Sequence, residues 1–432
     1  MDPMIAGILA LIIFFVLVFK SVPIGIAFAI VGTLCIVVFR SWDSALYIMA
    51  SQPYEWASAR MLLPVPLFML MGYFAFYSGI SKELYEAAHR WFGRLSGGIA
   101  MGTTLASAGF AACCGAPMAS AATMGSIAYP EMERLKYDQG ISTASIAAGG
   151  TISALIPPSI PLILYGMLSG TSVRDLFLAG IIPGILLSSL FLLLIYVWCK
   201  VNPQLGPIGP TYSMKDKMVS LVGVLPMLLL FVLVIGGLYG GYFVPSEAGA
   251  IGALGAFLIG IGKRKLPVAN IIAAAKETGR VVSMVAMIIV GSQIFNAALG
   301  VMGFSRQFSN WIEALDVSPY VVLLFVIIAY IVMGMVLDVM AIIMLTIPTL
   351  APIMEALGFD LVWFGVVIIT LAMLGFITPP IGVNLFIVQG VTGVDVELIY
   401  KKIMPFVVMT LICVGIMVAF PDLVTFLPEM AR

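Results

Sequence analysis

Charged residues and histidine are scarce in this sequence. Of its 432 residues only 10% are Asp, Glu, Lys or Arg and one is histidine, whereas 62% are hydrophobic. A soluble globular domain carries about 25% charged residues. Together with a mean hydropathy of +1.14, this shortage excludes a soluble protein and predicts a polytopic membrane protein.

The shortage of histidine also argues against a membrane enzyme. A membrane enzyme needs His, Cys or acid clusters at ligand spacing, which one histidine cannot supply. That residue, His89, lies among charged residues and is predicted to face the membrane interface rather than to bind a ligand. The five cysteines fall in or beside apolar runs and are predicted to be small buried residues rather than a disulfide framework; they are Cys35, Cys113, Cys114, Cys199 and Cys413.

A phosphate-binding loop is missing as well. The pair Gly262 and Lys263 has no glycine at position 257 and no Ser or Thr after the lysine. The sequence therefore lacks the glycine-rich loop that holds nucleotide phosphates, and we expect no direct use of ATP.

Adjacent prolines interrupt two apolar runs. In the segment 375–384 they are Pro379 and Pro380, and 222 residues earlier they are Pro157 and Pro158. Proline lacks a backbone donor and disfavours helix before it, so each pair predicts a break within a membrane helix. A break exposes backbone carbonyls, which are tolerated only when buried in protein or facing water and ions. Two breaks at equivalent positions therefore predict the binding site of a secondary transporter.

The same offset of 222 relates the two halves of the chain. Five of the nine residues at 130–138 are identical to their counterparts at 352–360. They are Pro130, Met132, Glu133, Leu135 and Asp138, which match Pro352, Met354, Glu355, Leu357 and Asp360. This agreement predicts a duplicated unit covering residues 1–210 and 218–432.

Each half reads as the same series of elements. In the first, spans are predicted at 4–20 (a first span rather than a signal peptide), 22–39, 61–80 and 175–199, with amphipathic segments at 43–59 and 81–94. The Gly, Ala and Ser-rich stretch 97–129 is predicted to be a re-entrant hairpin, and 139–168 the broken helix. Segment 44–59 maps onto 266–281, and both are predicted to lie along the interface. Five crossings per half, an odd number, make the repeats inverted.

The basic residues predict the orientation. With the N-terminus outside, 16 of the 21 Lys and Arg residues lie on inward segments. This excess predicts that both termini lie outside. The first hairpin then opens to the cytoplasm and the second, at about 320–352, opens outward, so that their tips approach near the midplane.

Two features of the hairpins leave alternatives open. The first tip, Cys113–Thr123, is rich in small residues that either allow a binding site beside a broken helix or simply pack helices. The second carries Asp338, the one acid in the apolar run 321–350. An acid at the bilayer centre costs about 3 kcal/mol, so it predicts an ion or proton site. The alternative is an acid that caps local amides near water. A channel is a further class, although two inward-folded hairpins fit alternating access better.

Three motifs resemble those of one known family. The runs Ala128–Met132, Ile156–Ile160 and Thr378–Phe386 are similar to those in the large membrane subunit of tripartite ATP-independent periplasmic (TRAP) transporters, and the resemblance covers essentially the whole chain. It implies a Na⁺-coupled elevator-type importer of a small organic anion in the bacterial inner membrane. The implied partners are a small four-span membrane subunit and a periplasmic binding protein, with no nucleic acid. The alternative is a stand-alone Na⁺- or H⁺-coupled transporter.

The resemblance also implies domains and sites. Residues 1–95 and 201–300 would form the scaffold, and 96–200 and 301–432 the transport domain. At least two Na⁺ sites are implied, one at Cys114, Ser153, Ile156 and Pro158 and the other at Gly334, Gly375, Thr378 and Ile381. The anion would lie near Gly115, Ala116, Ser120 and Asn384. Members often carry Ser-Gly-Ser at the first tip, where this chain has Cys114, Gly115 and Ala116. Carboxylates, sugar acids and sulfonates all fit as substrates.

Overall fold

All regular elements that the structure describes are helices. The computed structural model describes residues 2–114, 117–314 and 317–431, which hold twenty α-helices. Those of the first half are α1 (Pro3–Phe19), α2 (Ile24–Phe39), α3 (Trp42–Ala57), α4 (Pro64–Tyr77), α5 (Ile80–Phe92), α6 (Gly98–Cys114), α7 (Pro117–Arg134), α8 (Gln139–Thr151), α9 (Ile160–Ser169) and α10 (Val173–Val201). Those of the second half are α11 (Met214–Tyr239), α12 (Pro245–Gly262), α13 (Val268–Met302), α14 (Phe304–Ala314), α15 (Pro319–Gly334), α16 (Val339–Ala356), α17 (Leu361–Gly375), α18 (Val383–Thr392), α19 (Val396–Ala419) and α20 (Asp422–Met430).

The helix bounds confirm the sequence repeat. α7 and α16 are related by 222 residues at both ends, and the same shift places α8 on α17 and α9 on α18. The glycines that cap α9 and α18, Gly170 and Gly393, both have φ of +72°. A left-handed cap of this kind favours glycine because other side chains are strained there. Each half thus contains a hairpin (α6–α7 and α15–α16) followed by a broken helix.

The chain is a multi-pass membrane protein. Among the described residues, seven helices or helix pairs are long and apolar enough to cross a bilayer by themselves. The broken helices reach that length only as the pairs α8–α9 and α17–α18. They lie at the centre of the protein: residues 140–151 and 362–375 are buried throughout. Backbone irregularity at membrane depth requires such burial.

The second interfacial segment differs from the prediction. Residues 266–281 do not form a separate helix along the interface but belong mostly to α13, which runs unbroken for 35 residues. The first repeat instead breaks between α3 and α4, where Pro64 opens α4. Its counterpart at 286 is alanine, so nothing there removes a backbone donor. At 1.5 Å per residue α13 is about 52 Å long, and it must tilt or project beyond a hydrocarbon core of about 30 Å.

His89 also differs from the prediction. Its side chain is only 6% exposed, with its ring 6.0 Å from that of Tyr85 and 5.7 Å from that of Tyr212. His89 therefore packs between Tyr85 of its own helix and Tyr212 of the linker 202–213 instead of facing the interface. Burial lowers the pKa of the imidazole, because the charged form loses hydration.

Close backbone contact joins α2 to α13. A Cβ atom added at Gly291 would lie 2.0 Å from the carbonyl oxygen of Gly25, and one at Gly25 would lie 2.5 Å from that of Met287. Only glycine fits at either position. Small residues of this kind let membrane helices pack at short distance, so α2 and α13 form a firm pair.

Candidate functional site

The first break follows α8. A 3₁₀ turn, Ile152–Ala154, leads into the two prolines, and α9 resumes at Ile160. The Ser153 hydroxyl donates to the carbonyl of Gly150 at 2.7 Å, and the Ser159 hydroxyl donates to that of Ala154 at 2.6 Å. Ser159 also accepts from the backbone of Leu162 as the N-cap of α9. Side-chain hydroxyls thus use part of the backbone hydrogen-bonding capacity that the break releases.

The second break is bridged by backbone atoms. The amide of Asn384 donates to the carbonyl of Phe376 across the break at 3.1 Å. Gly382, with φ of +54°, turns the chain into α18. The Thr378 hydroxyl donates to the carbonyl of Leu374 at 2.6 Å. Because that bond uses only the hydroxyl hydrogen, the oxygen keeps acceptor lone pairs for a further ligand.

The tip of the second hairpin touches this break. A Cβ atom added at Gly334 would lie 3.0 Å from Cα of Gly375, and one added at Gly375 would lie 2.2 Å from the carbonyl carbon of Gly334. The ends of α15 and α17 therefore meet backbone to backbone. The structure brings together Gly334, Gly375 and Thr378 of the predicted second ion site, and half-buried Ile381 follows in the same loop.

The two broken helices meet at Asn384. This fully buried side chain lies in the first turn of α18, and its amide nitrogen donates to the carbonyl of Ala147 in α8 at 3.3 Å. Its amide oxygen has no hydrogen-bond partner among the described residues. A Cβ atom added at Gly150 would lie 3.1 Å from the side-chain amide nitrogen of Asn384 and 3.1 Å from the carbonyl oxygen of Pro117. The start of α7, the end of α8 and the start of α18 thus converge.

The remaining predicted site residues lie in the first hairpin, at the first break or outside the described residues. Buried Ser120 donates from its hydroxyl to the carbonyl of Ser107 at 3.4 Å, within the first hairpin. Ile156 and Pro158 stay with Ser153 at the first break. Gly115 and Ala116 lie outside the described residues, as does the side chain of Cys114, whose backbone ends α6.

Asp338 begins α16 at the second hairpin tip. Its carboxylate accepts from the backbone amide of Met340 at 3.1 Å, so it acts as a helix cap. It also lines a cavity of 180 Å³, to which Pro117 of the first hairpin and Phe376 of the second break contribute. Tyr73 of α4 and Met284 of α13 close the opposite wall. Asp338 thus caps α16 on the wall of a cavity between both hairpins and the neighbouring helices, and its role as an ion or proton site stays a prediction.

The atoms at the breaks that could coordinate an ion are oxygens, which suit a hard cation. They belong to the hydroxyls of Ser153 and Thr378 and to the nearby backbone carbonyls. Oxygen ligands at half-helix ends are the groups that coordinate Na⁺ in transporters with broken helices.

The residues that sequence analysis missed are Ala147, Gly150 and Tyr73. A Gly-Gly pair within a helix, here Gly149 and Gly150, was the signal that could have indicated close approach.

Comparisons with known proteins agree with this architecture. Residues 11–423 match the family model described as "Tripartite ATP-independent periplasmic transporter, DctM component". The chain is 32% identical over 399 residues to the C4-dicarboxylate TRAP transporter large permease protein DctM of Pseudomonas aeruginosa, covering 92% of each chain. It is 29% identical over 415 residues to the sialic acid TRAP transporter large permease protein SiaM of Vibrio cholerae, covering 96% of each.

A solved structure shares the fold. The Alcanivorax borkumensis YdaH transporter, described as having an unusual topology, superposes with a TM-score of 0.64 at 13% identity, over 89% of this chain and 90% of that one. At this identity the likeness concerns the fold alone. The relatives are transport permeases rather than enzymes. Since the family model spans nearly the whole chain, this protein belongs to the DctM family of TRAP transporter large membrane subunits.

Proposed function

We propose that this subunit carries a small organic anion into the cell together with Na⁺, after a periplasmic binding protein delivers the anion. The observation that carries the proposal is the meeting of the two broken helices at Asn384 and Ala147. It gathers elements from both inverted halves around one site, as alternating access requires. The names of relatives specify C4-dicarboxylates, sialic acid and isethionate, which are carboxylates and a sulfonate, and so support a small organic anion as the substrate class.

The proposed mechanism needs a moving transport domain and a fixed scaffold. The hairpins and broken helices, with the rest of 96–200 and 301–432, would move as one body against a scaffold formed by 1–95 and 201–300. Paired contacts such as those of Gly25 with Gly291 and Met287 support a firm scaffold. A small four-span membrane subunit would complete it.

The orientation is part of the proposal. We place the face that carries Lys82, Arg94, Lys217 and Lys263, called the basic face below, on the cytoplasmic side of the inner membrane. The excess of 16 of 21 basic residues supports this placement. Both chain termini would then be periplasmic.

Proteoliposomes test the coupling. With this chain, its small partner and the loaded binding protein, we expect accumulation of the anion only under an inward Na⁺ gradient. An inside-negative potential should add about 2.3 kcal/mol per net charge per 100 mV. Equal uptake in K⁺ alone, or a requirement for ATP, would overturn the coupling. Full uptake without the binding protein would favour a stand-alone transporter instead.

Thr378→Val should weaken the apparent Na⁺ affinity about tenfold, which corresponds to about 1.4 kcal/mol. The substitution keeps the shape of the side chain but removes the oxygen next to the second break. Uptake at varied Na⁺ concentration measures the effect. The matched control is Thr370→Val, because the Thr370 hydroxyl makes the same kind of bond, to Val366 at 2.7 Å, one helix segment away. An equal shift in both variants, or in neither, would show that Thr378 is no ion ligand.

Arg60→Glu should weaken activation by the binding protein, and the loss should shrink at high salt. Arg60 is exposed at the start of a 3₁₀ turn on the face opposite the basic face. Exposed charges act over about 10 Å at 0.1 M salt and mainly change the association rate. Uptake at varied concentration of binding protein and salt measures this. The control is Lys401→Glu, an exposed charge on the basic face; an equal loss there in correctly inserted protein would contradict the orientation.

Arg174, another arginine that this orientation places on the periplasmic side, is unsuited to that test. Its guanidinium donates to the carbonyl of Tyr239 at 2.5 Å and to that of Ala431 at 3.2 Å. It therefore ties α10 to the end of α11 and to the C-terminal helix. Charge reversal would break those contacts whether or not the binding protein touches it.

A further inference from the structure

A long apolar groove runs from the basic face into the membrane region. Two adjoining cavities form it, of 790 Å³ nearer the basic face and 400 Å³ deeper, and Leu84, Leu105 and Val224 line both. The first lies between α5, α6 and α11. The second adds α10 and ends beside Ile156 at the first break. Both volumes fall in the range of about 300–1,000 Å³ that is typical of ligand sites.

The deep part of the groove presents hydrocarbon surface. Its two hydroxyls belong to Ser188 and Ser189, which donate to carbonyls of their own helix at 2.7 Å and 2.8 Å. The remaining side chains that line it are apolar, among them Leu192, Met227 and Phe231. Such a wall suits an acyl chain and offers little to a polar solute.

The outer end of the groove is basic. Arg94 and Lys217 line it, and no acidic residue of the described part of the chain does. The Lys217 ammonium lies 5.8 Å from the ring centre of Trp91, whose indole nitrogen donates to the Lys217 carbonyl at 3.3 Å. Acidic residues of the neighbouring helices are engaged elsewhere. Glu83 pairs with Lys263, and Glu86 lies 4.0 Å from Arg90. The Asp216 carboxylate accepts from the Ser213 hydroxyl at 2.7 Å. Among the described residues neither Arg94 nor Lys217 forms an ion pair with an acid. Lys217 lies beside Trp91, a residue type that anchors membrane proteins at headgroup level.

We propose that this groove binds one anionic phospholipid of the leaflet at the basic face. Its phosphate would lie between Arg94 and Lys217, and an acyl chain would follow Leu84, Leu105 and Val224 toward Ile156. Basic pockets between membrane helices on the cytoplasmic side bind anionic headgroups, and an acyl chain gains free energy for each buried methylene. The charge at the mouth favours a lipid phosphate over the apolar helix of a protein partner.

The position of this lipid has a consequence for transport. α5 and α11 belong to the proposed scaffold, whereas α6 and α10 belong to the proposed transport domain. A lipid between them would lie along the seam where the two bodies slide. This consequence rests on the proposed function, but lipid binding itself does not, so the two can fail independently.

Lipid retention tests the headgroup. The complex of both membrane subunits is equilibrated with equal amounts of phosphatidylglycerol and phosphatidylethanolamine of identical chains, and retained lipid is counted by native mass spectrometry. We expect phosphatidylglycerol to be preferred, and the double variant R94Q and K217Q to reduce its retention about fivefold or more. The control pair K20Q and K401Q removes equal charge from the same face outside the groove and should change nothing. No preference in the parent, or equal loss in the control, would overturn the proposal.

A second pair of variants tests the acyl-chain path. Val224→Trp fills the groove and should lower retention of both lipids, whereas Val222→Trp, on the exposed side of the same helix, should not. A photo-crosslinking residue at 224 should label lipid. Labelling of the small subunit instead would show that a protein helix occupies the groove and would overturn the lipid proposal.

Discussion

Gly375→Ala is expected to reduce uptake about tenfold or more and to lower the thermal stability of the purified protein. The added methyl group would lie 2.2 Å from the carbonyl carbon of Gly334, an approach that no real Cβ atom shows. Both partners are backbone, so no side-chain rotation can relieve the clash. Overpacking in a core costs about 1–3 kcal/mol and occasionally more. The second hairpin tip must then separate from the second break, at the predicted ion site.

Alanine substitutions at two other glycines give the comparison for Gly375→Ala. Gly390→Ala, in α18, meets nothing within 4 Å and should be nearly silent. Gly334→Ala approaches Cα of Gly375 at 3.0 Å and should fall between the two. Uptake and melting temperature should therefore rank the variants by the distance of the clash. A normal Gly375→Ala protein would contradict the close contact of α15 and α17.

Asn384→Asp is expected to raise the apparent KM for the transported anion about tenfold or more. The substitution keeps the shape of the side chain but replaces the amide donor with negative charge at the junction of both broken helices. The bond to Ala147 is lost, and a buried group left unpaired costs about 1–3 kcal/mol. An anion bound nearby would also be repelled. Uptake at varied anion concentration, with saturating binding protein, measures the change.

Asn296→Asp is the matched control. Asn296 of α13 likewise donates from its amide nitrogen to a backbone carbonyl, that of Met344, at 3.1 Å. Its amide oxygen also has no hydrogen-bond partner within the described part of the chain. Because Asn296 is half-buried and Asn384 fully buried, Asn296→Asp should lose somewhat less stability, and only Asn384→Asp should raise KM. If both raise KM equally, the effect of Asn384 is structural and the predicted anion site is wrong.

Much of the architecture followed from local features of the sequence. Apolar runs predict spans because backbone groups in lipid must be satisfied within a helix. The proline pairs predict breaks because proline lacks a donor. The repeat offset then placed hairpins and broken helices in both halves, and the helix bounds confirm it. Each of these signals acts over a few residues or through direct comparison of two segments.

The continuity of α13, which sequence analysis did not predict, also depends on nearby residues. α13 is one helix because the second repeat has Ala286 and Ile288 where the first has Pro64 and Pro66. Polarity along 266–281 indicated an interfacial segment, but polarity does not break a helix. The absence of a breaker decides whether the helix continues.

Only the tertiary structure decided which residues meet. Asn384 contacts Ala147 across 237 positions of sequence, and Arg174 bonds to Ala431 across 257. Hairpin tips and breaks could be predicted separately, but the contact of Gly334 with Gly375 depends on how α15 packs on α17. The groove beside Leu84 and Val224 likewise depends on four helices at once. Hydropathy and proline act on the backbone nearby and are therefore readable from sequence, whereas such contacts depend on the packing of side chains from distant helices, which no local pattern specifies.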